Sequence, residues 1–316
     1  MKRICALFCA LLLLAGCSAD VPQQDDTFTI TATTYPIYLF ARTLTQGMEN
    51  VRVERLDTGS VSCLHDYTLS VSDMKKIERA DVIALSGVGL EDFLYNASIS
   101  SNAYVIDCSE GIELLPALGH HDHDHSDADH SHFDPHYWLD PLCAQTMLDT
   151  LCVGLSWGLP EQESLLASNA DFARRQLELG RESALYILGK EALTIPGLIT
   201  FHDGFQYFAH ALDLPLLHTI EEDAGSEASA KEITYVSNLV KEAQIPVVFT
   251  EVNGSDATAN AIARETGCRV AQLSMIMDGP EPSDDDYPLD LYTNLFLHNV
   301  DVLIKGFAGQ EVLTTS

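Results

Sequence analysis

Short apolar, β-branched runs alternate with helical stretches twice along this chain, and a long helical region separates the two series. That alternation constrains the fold more than any other feature, because strands that each lead into a helix and then a further strand form parallel βα units. In the first series the pattern predicts strands over 27–34, 51–56, 81–85 and 104–107. Helices are predicted over 37–46 and 72–80, and another begins at 91–95. Residues 142–190 are helix formers broken at Gly158-Leu159-Pro160. Residues 163–188 hold no proline and predict one helix of about seven turns. The second series predicts strands over 197–201, 215–219, 246–250 and 269–273, with helices over 205–211, 230–243, 256–266 and 291–305. The expectation is an α/β fold of two lobes, each a parallel sheet flanked by helices. A single long helix joins them, and the ligand site lies in the interlobe cleft. The expected boundaries are 27–160 for the first lobe, 161–190 for the linking helix and 191–309 for the second lobe. With 316 residues, 46% of them hydrophobic, the chain can bury two cores of ordinary size.

The N-terminus reads as an export signal. Met1-Lys2-Arg3 is followed by an apolar run of 12 residues, Ile4 to Ala15. A membrane-spanning helix needs about 20, so the run fits the hydrophobic region of a signal peptide. It ends Leu14-Ala15-Gly16-Cys17, which resembles the bacterial lipobox. Residues 1–17 are therefore expected to be a lipoprotein signal peptide with Cys17 as the lipidation site, and residues 18–26 a polar tether. The expected location is extracytoplasmic, lipid-anchored to the bacterial membrane at the cell surface or in the periplasm. A formal net charge of −30 argues against nucleic acid and anionic lipid surfaces as partners.

Eight cysteines do not form a disulfide framework. Cys5 and Cys9 lie in the leader and Cys17 in the lipobox. Cys63, Cys108, Cys143, Cys152 and Cys268 are odd in number and lack C-x-x-C spacing. Cys143 and Cys152 read as core residues, and Cys63 stands two positions before His65.

Histidine is the residue type that points to chemistry. Residues 119–132 pack His120, His121, His123, His125, His130 and His132 among four aspartates, with no side chain suited to a core. Neutral imidazole suits zinc, copper and nickel, and the carboxylates concentrate cations, so this segment is expected to be a loop for auxiliary metal capture. Tight binding requires ligands on rigid structure. His65, His136 and His202 each stand at a strand-to-helix turn or in a proline-stiffened segment, where side chains project from the top of a parallel sheet. A lone histidine there is more often structural; three together make a metal site an equal alternative.

The segments Leu64-His65-Asp66-Tyr67, Gly89-Leu90-Glu91-Asp92-Phe93-Leu94, Asp134-Pro135-His136-Tyr137-Trp138-Leu139-Asp140-Pro141 and Phe201-His202-Asp203-Gly204-Phe205-Gln206-Tyr207-Phe208 occur in this order. In combination they resemble the zinc and manganese ABC transporter substrate-binding protein family over about residues 28–307. The resemblance implies that His65, His136 and His202 are metal ligands. It favours Zn2+ over Mn2+, because manganese members often carry glutamate at the third position. It also implies an ABC permease and ATPase as partners, with the chain a monomer. Two departures stand out: Thr68-Leu69-Ser70-Val71 replaces the family's Glu-Pro-Ser-Pro, and the fourth ligand is open. Asp278 lies at the family's distance, Glu251 ends a predicted buried strand, and water or Cys63 are further alternatives.

The leading reading is an extracytoplasmic receptor that captures Zn2+ and delivers it to an ABC permease for import. The alternatives are a surface adhesin or metal buffer with the same fold, a manganese receptor, or a zinc hydrolase. Three histidines and a water also describe a catalytic metal. However, no HExxH and no paired general base accompany them, so no enzyme activity is expected. A single stiff connector further predicts that release involves local rearrangement rather than wide domain opening.

Overall fold

In the computed structural model the described residues are 27–58, 64, 67–94, 101–118, 133–191, 193–220, 228–252, 254–283 and 285–311. Phe28–Ala32 forms β1, whose Thr29 and Thr31 are buried because they find polar partners in the interior. The Thr29 amide donates to Asp81 Oδ2 at 2.8 Å, and the Thr31 hydroxyl to the Lys76 carbonyl at 3.2 Å. Helix α1 (Tyr35–Leu44) starts with Pro36 in its first turn, where a missing amide hydrogen is harmless. β2 (Val51–Arg55), α2 (Val71–Glu78), β3 (Val82–Leu85) and β4 (Tyr104–Asp107) complete the first lobe's sheet. All its pairings are parallel, in the order β2-β1-β3-β4.

The second sheet repeats that topology. β5 (Leu198–Phe201), β6 (Leu216–Ile220), β7 (Val247–Glu251) and β8 (Arg269–Leu273) pair in parallel in the order β6-β5-β7-β8. Helices α5 (Gln206–Ala211), α6 (Ala230–Glu242) and α7 (Ala257–Thr266) form its crossovers. In both sheets the chain turns from one direction to the other beside the first strand. Such a switch point opens a crevice at the strands' carboxyl ends.

Between the two series of strands the chain runs through α3 (Pro141–Gly158) and α4 (Glu163–Lys190), joined by a 3-10 turn at Pro160–Gln162. The α4 helix has 28 residues, hence about 42 Å of length. Its buried stripe Leu166, Ala170, Ala173, Leu177, Gly180 and Ala184 follows helical periodicity and packs on α1, α3 and α8 (Pro288–Ala308). A Cβ at Gly180 would stand 3.1 Å from Thr293 Cγ2, so glycine lets α4 and α8 approach closely. The long helix joins the two sheets, as the leucine pattern predicts. It is no isolated strut, because one continuous apolar core runs from Ile30 and Ala32 through Trp138 and Leu177 to Phe249 and Phe296.

The predicted helix at 91–95 is instead a 3-10 turn, Asp92–Leu94. Glu91 is turned inward, and its carboxylate accepts the Ser86 amide at 2.7 Å, the Gly87 amide at 2.9 Å and the Thr33 hydroxyl at 2.7 Å. Burial pushes this carboxyl up to about 7, against the opposing pull of the Thr33, Gly87 and Ser86 donors. Among the described residues no helix is long and apolar enough to cross a membrane.

Candidate metal centre

His136 and His202 come from different lobes and meet. Their Nε2 atoms lie 3.4 Å apart, and their rings are nearly perpendicular at 83° with centroids 5.1 Å apart. Two nitrogens at about 2.0–2.1 Å from one tetrahedral metal ion would be separated by about 3.3–3.4 Å. The pair is thus spaced as one edge of such a site.

His136 is held by its own segment. It is buried, and Asp134 Oδ1 accepts both its backbone amide and its Nδ1 side, each at 2.8 Å. A carboxylate facing Nδ1 places the ring proton there and leaves the Nε2 lone pair directed at His202. Asp134 Oδ2 is buried without a hydrogen-bond partner among the described residues, where the hydrogen bonding of this carboxylate is directed to His136. The rest of the motif rivets the lobes. Tyr137–Leu139 is a 3-10 turn, and Trp138 Nε1 donates to the Met275 carbonyl beyond β8 at 2.8 Å. The Trp138 carbonyl in turn accepts the Tyr292 hydroxyl of α8 at 2.6 Å. Asp140 caps α3 through the Leu142 amide at 2.8 Å and meets His210 Nδ1 at 2.9 Å.

His202 follows β5 with φ of +72°, the left-handed region that non-glycine residues seldom adopt. Such strain is typical of sites where the surrounding fold over-determines a side chain. Its amide is bonded to the Ile220 carbonyl at 2.9 Å. Two residues on, a Cβ at Gly204 would stand 2.9 Å from His202 Cδ2 and would overlap the end of the Met275 side chain, so a larger residue there would push on both.

Glu251 is buried at the end of β7. The pairing of Thr200 with Phe249, continued by two residues, sets Glu251 level with His202 on the neighbouring strand. Adjacent strands lie about 4.8 Å apart. Asp278 is half exposed and forms an ion pair with Arg55 at 3.1 Å. Arg55 also reaches Glu281 at 3.3 Å and stacks over Tyr35 at 4.8 Å. Among the described residues no group of three or more His, Cys, Asp or Glu is gathered closely enough to hold a metal ion. His65, Cys63, Cys17 and the histidines from His120 to His132 lie outside the described residues.

The flanks of that histidine-rich segment are described, and they stand beside the pair. Pro116 and Phe133 form an antiparallel bridge, and the Leu118 amide donates to Asp203 Oδ2 at 2.8 Å, next to His202. Cys108, Cys143, Cys152 and Cys268 are free thiols, and burial pushes Cys143 up to about 12. A thiol so reluctant to ionise is a poor metal ligand. Sequence reasoning did not single out Asp134, Trp138 or Met275 as supports of the site. For Asp134 the signal was there, a carboxylate two positions before a histidine in a proline-stiffened segment. Nothing local announces Met275.

The family profile described as zinc-uptake complex component A, periplasmic (ZnuA) matches residues 30–306. The zinc-binding protein AdcA of Streptococcus pyogenes serotype M3 is 29% identical over 90% of this chain. The chain spans 57% of that relative's length. The manganese-binding lipoprotein MntA of Halalkalibacterium halodurans is 24% identical over 98% of this chain and 100% of its own. Among solved structures, a ZnuA deletion mutant with zinc bound superposes with a TM-score of 0.74 at 24% identity, covering 90% of this chain and 100% of that one, and so shares the fold. The family match spans both lobes and includes the segments that carry His136 and His202. The chain belongs to the ZnuA zinc-uptake component family.

Proposed function

We propose that this chain is an extracytoplasmic receptor that captures Zn2+ and delivers it to an ABC permease and its ATPase for import, without enzymatic turnover. His65, His136 and His202 supply three imidazoles, the donor type zinc prefers. The observation that carries this reading is the pair of Nε2 atoms 3.4 Å apart, one from each lobe, with Asp134 behind His136. Glu251 is the better candidate for the fourth position, being buried and level with His202, whereas Asp278 is tied to Arg55. Water is the remaining choice. The histidines from His120 to His132 act as an auxiliary collector whose flanks reach the pair. Lipid on Cys17 anchors the monomeric protein to the membrane. Calorimetric titration of the purified protein with zinc tests the site. His136→Ala with His202→Ala is expected to abolish sub-micromolar affinity, and retention of that affinity would overturn the assignment.

The MntA relative, named for manganese, supports a second reading as a manganese receptor. Manganese favours oxygen donors over imidazole. Zinc outbinds manganese at nearly any such site, so cellular accumulation separates the readings: loss of zinc uptake on deletion of the gene supports the first, loss of manganese uptake the second.

A further inference from the structure

One buried carboxylate ties together the described residues on both sides of the stretch that carries His65. Asp73, in the first turn of α2, has no exposed surface. Its Oδ1 accepts the Asp57 amide at 3.0 Å. Its Oδ2 accepts the Ser70 amide at 2.9 Å, the Ser70 hydroxyl at 2.6 Å and the Tyr67 hydroxyl at 2.6 Å. The bonds exchanged with Ser70 are the ordinary capping box of a helix start. Those from Asp57 and Tyr67 are not required for capping. They come from the two ends of the 57–67 stretch.

Neighbouring contacts reinforce the arrangement. Leu64 is buried, and its carbonyl accepts the Tyr67 amide at 2.9 Å. The Tyr67 ring packs edge-on against Phe93 at 5.1 Å. Lys76 Nζ lies 3.8 Å from Asp73 Oδ1 and donates to Asp57 Oδ1 at 2.8 Å and to the Arg55 carbonyl at 2.6 Å. Burial raises the Asp73 carboxyl, but the donors from Ser70, Tyr67 and Asp57 outweigh it and hold the group below the usual carboxylate range. It therefore stays ionised, and a strong acceptor, at neutral pH.

We propose that Asp73 is a positioning residue for metal binding: by clasping Asp57 and Tyr67 it fixes the described residues that flank His65, and zinc affinity depends on that clasp through His65. The proposal rests on the reading of His65 as a ligand. An unclasped stretch would have to be ordered by the metal itself, at the expense of affinity.

The test is a double-mutant cycle on the intact chain, with zinc affinity measured by chelator competition for the parent, Asp73→Asn, His65→Ala and the double variant. Asp73→Asn is expected to weaken zinc binding about tenfold in the parent, the lower end for groups supporting metal ligands. In the His65→Ala background it is expected to have no effect. Equal weakening in both backgrounds would mean that Asp73 only stabilises the fold, and no weakening in the parent would also overturn the proposal. If His65→Ala alone leaves affinity unchanged, the ligand reading fails and this inference fails with it. Should Asp73→Asn not fold, Tyr67→Phe, which keeps the ring against Phe93, goes through the same cycle. A severalfold loss confined to the parent is then expected, and its absence overturns the proposal.

Discussion

Replacing Asp134 by asparagine isolates the contribution of the carboxylate behind His136. In the structure Asp134 Oδ1 accepts from the His136 amide and Nδ1, each at 2.8 Å, while Oδ2 is buried with no hydrogen-bond partner among the described residues. Asparagine has nearly the same shape, so its carbonyl can keep the bond to the amide. What it loses is charge. A hydrogen bond to a charged group contributes about 1.5–3 kcal/mol and a neutral one about 0.5–1.5 kcal/mol, so the bond to Nδ1 weakens by roughly 1–1.5 kcal/mol. Each 1.4 kcal/mol is tenfold in a dissociation constant. About tenfold weaker zinc binding is therefore expected, in line with the 10–100-fold typical of groups that orient metal-ligating histidines. The bond to Nδ1 is also made without metal, and asparagine sets an NH2 group where the buried Oδ2 finds no partner among the described residues, so the metal-free protein should also melt somewhat lower. The assay is chelator competition at fixed pH, with metal-free melting followed in parallel. Unchanged zinc affinity would refute the reasoning. So would an equal loss when His136 is already alanine, because Asp134 would then act on something other than that imidazole.

Other consequences follow from the same contacts. Trp138→Phe leaves the buried Met275 carbonyl without its 2.8 Å donor, a loss of about 1–3 kcal/mol, and should lower the melting temperature by about 2 °C per kcal/mol in scanning calorimetry. Glu91 is raised from 4.5 to about 7 in the folded chain, so the folded state holds a proton the unfolded chain has released. Its contribution is complete below pH 4.5 and is lost as pH rises through 7. Denaturant unfolding at pH 5 and pH 8 should therefore show a decline, of at most about 3 kcal/mol from this group, that Glu91→Gln lacks. Because one apolar core crosses both lobes and α4 braces them, X-ray scattering of metal-free and zinc-loaded protein should give the same radius of gyration. A clear contraction on loading would contradict the local-rearrangement expectation. Deleting residues 119–132 should reduce the number of zinc ions bound in calorimetry while leaving the tightest one in place.

Most of the secondary structure was legible because period and punctuation agreed. Residues 104–107 and 269–273 are strands as the sequence predicts, and the long helix, predicted over 163–188, runs over Glu163–Lys190. Glu91 shows where local reading ends. Its segment looks helical, but three donors from the residue after β1 and the turn after β3 draw the carboxylate inward and leave a 3-10 turn, a preference visible only once the sheet has formed.

By itself the sequence determined the parallel α/β architecture, the connecting helix and the short set of histidines worth considering, because these depend on hydrophobic period, proline placement and residue chemistry within a few positions of the chain. Only the tertiary structure decided which groups meet. His136 and His202 are 66 positions apart, yet their Nε2 atoms approach to 3.4 Å because each stands at a crevice-facing end of its own lobe. Asp278 stands 223 positions from Arg55, which claims its carboxylate. Distances set by sheet topology and interlobe packing, rather than by neighbours in the chain, separate a pair of facing imidazoles from histidines that are merely numerous.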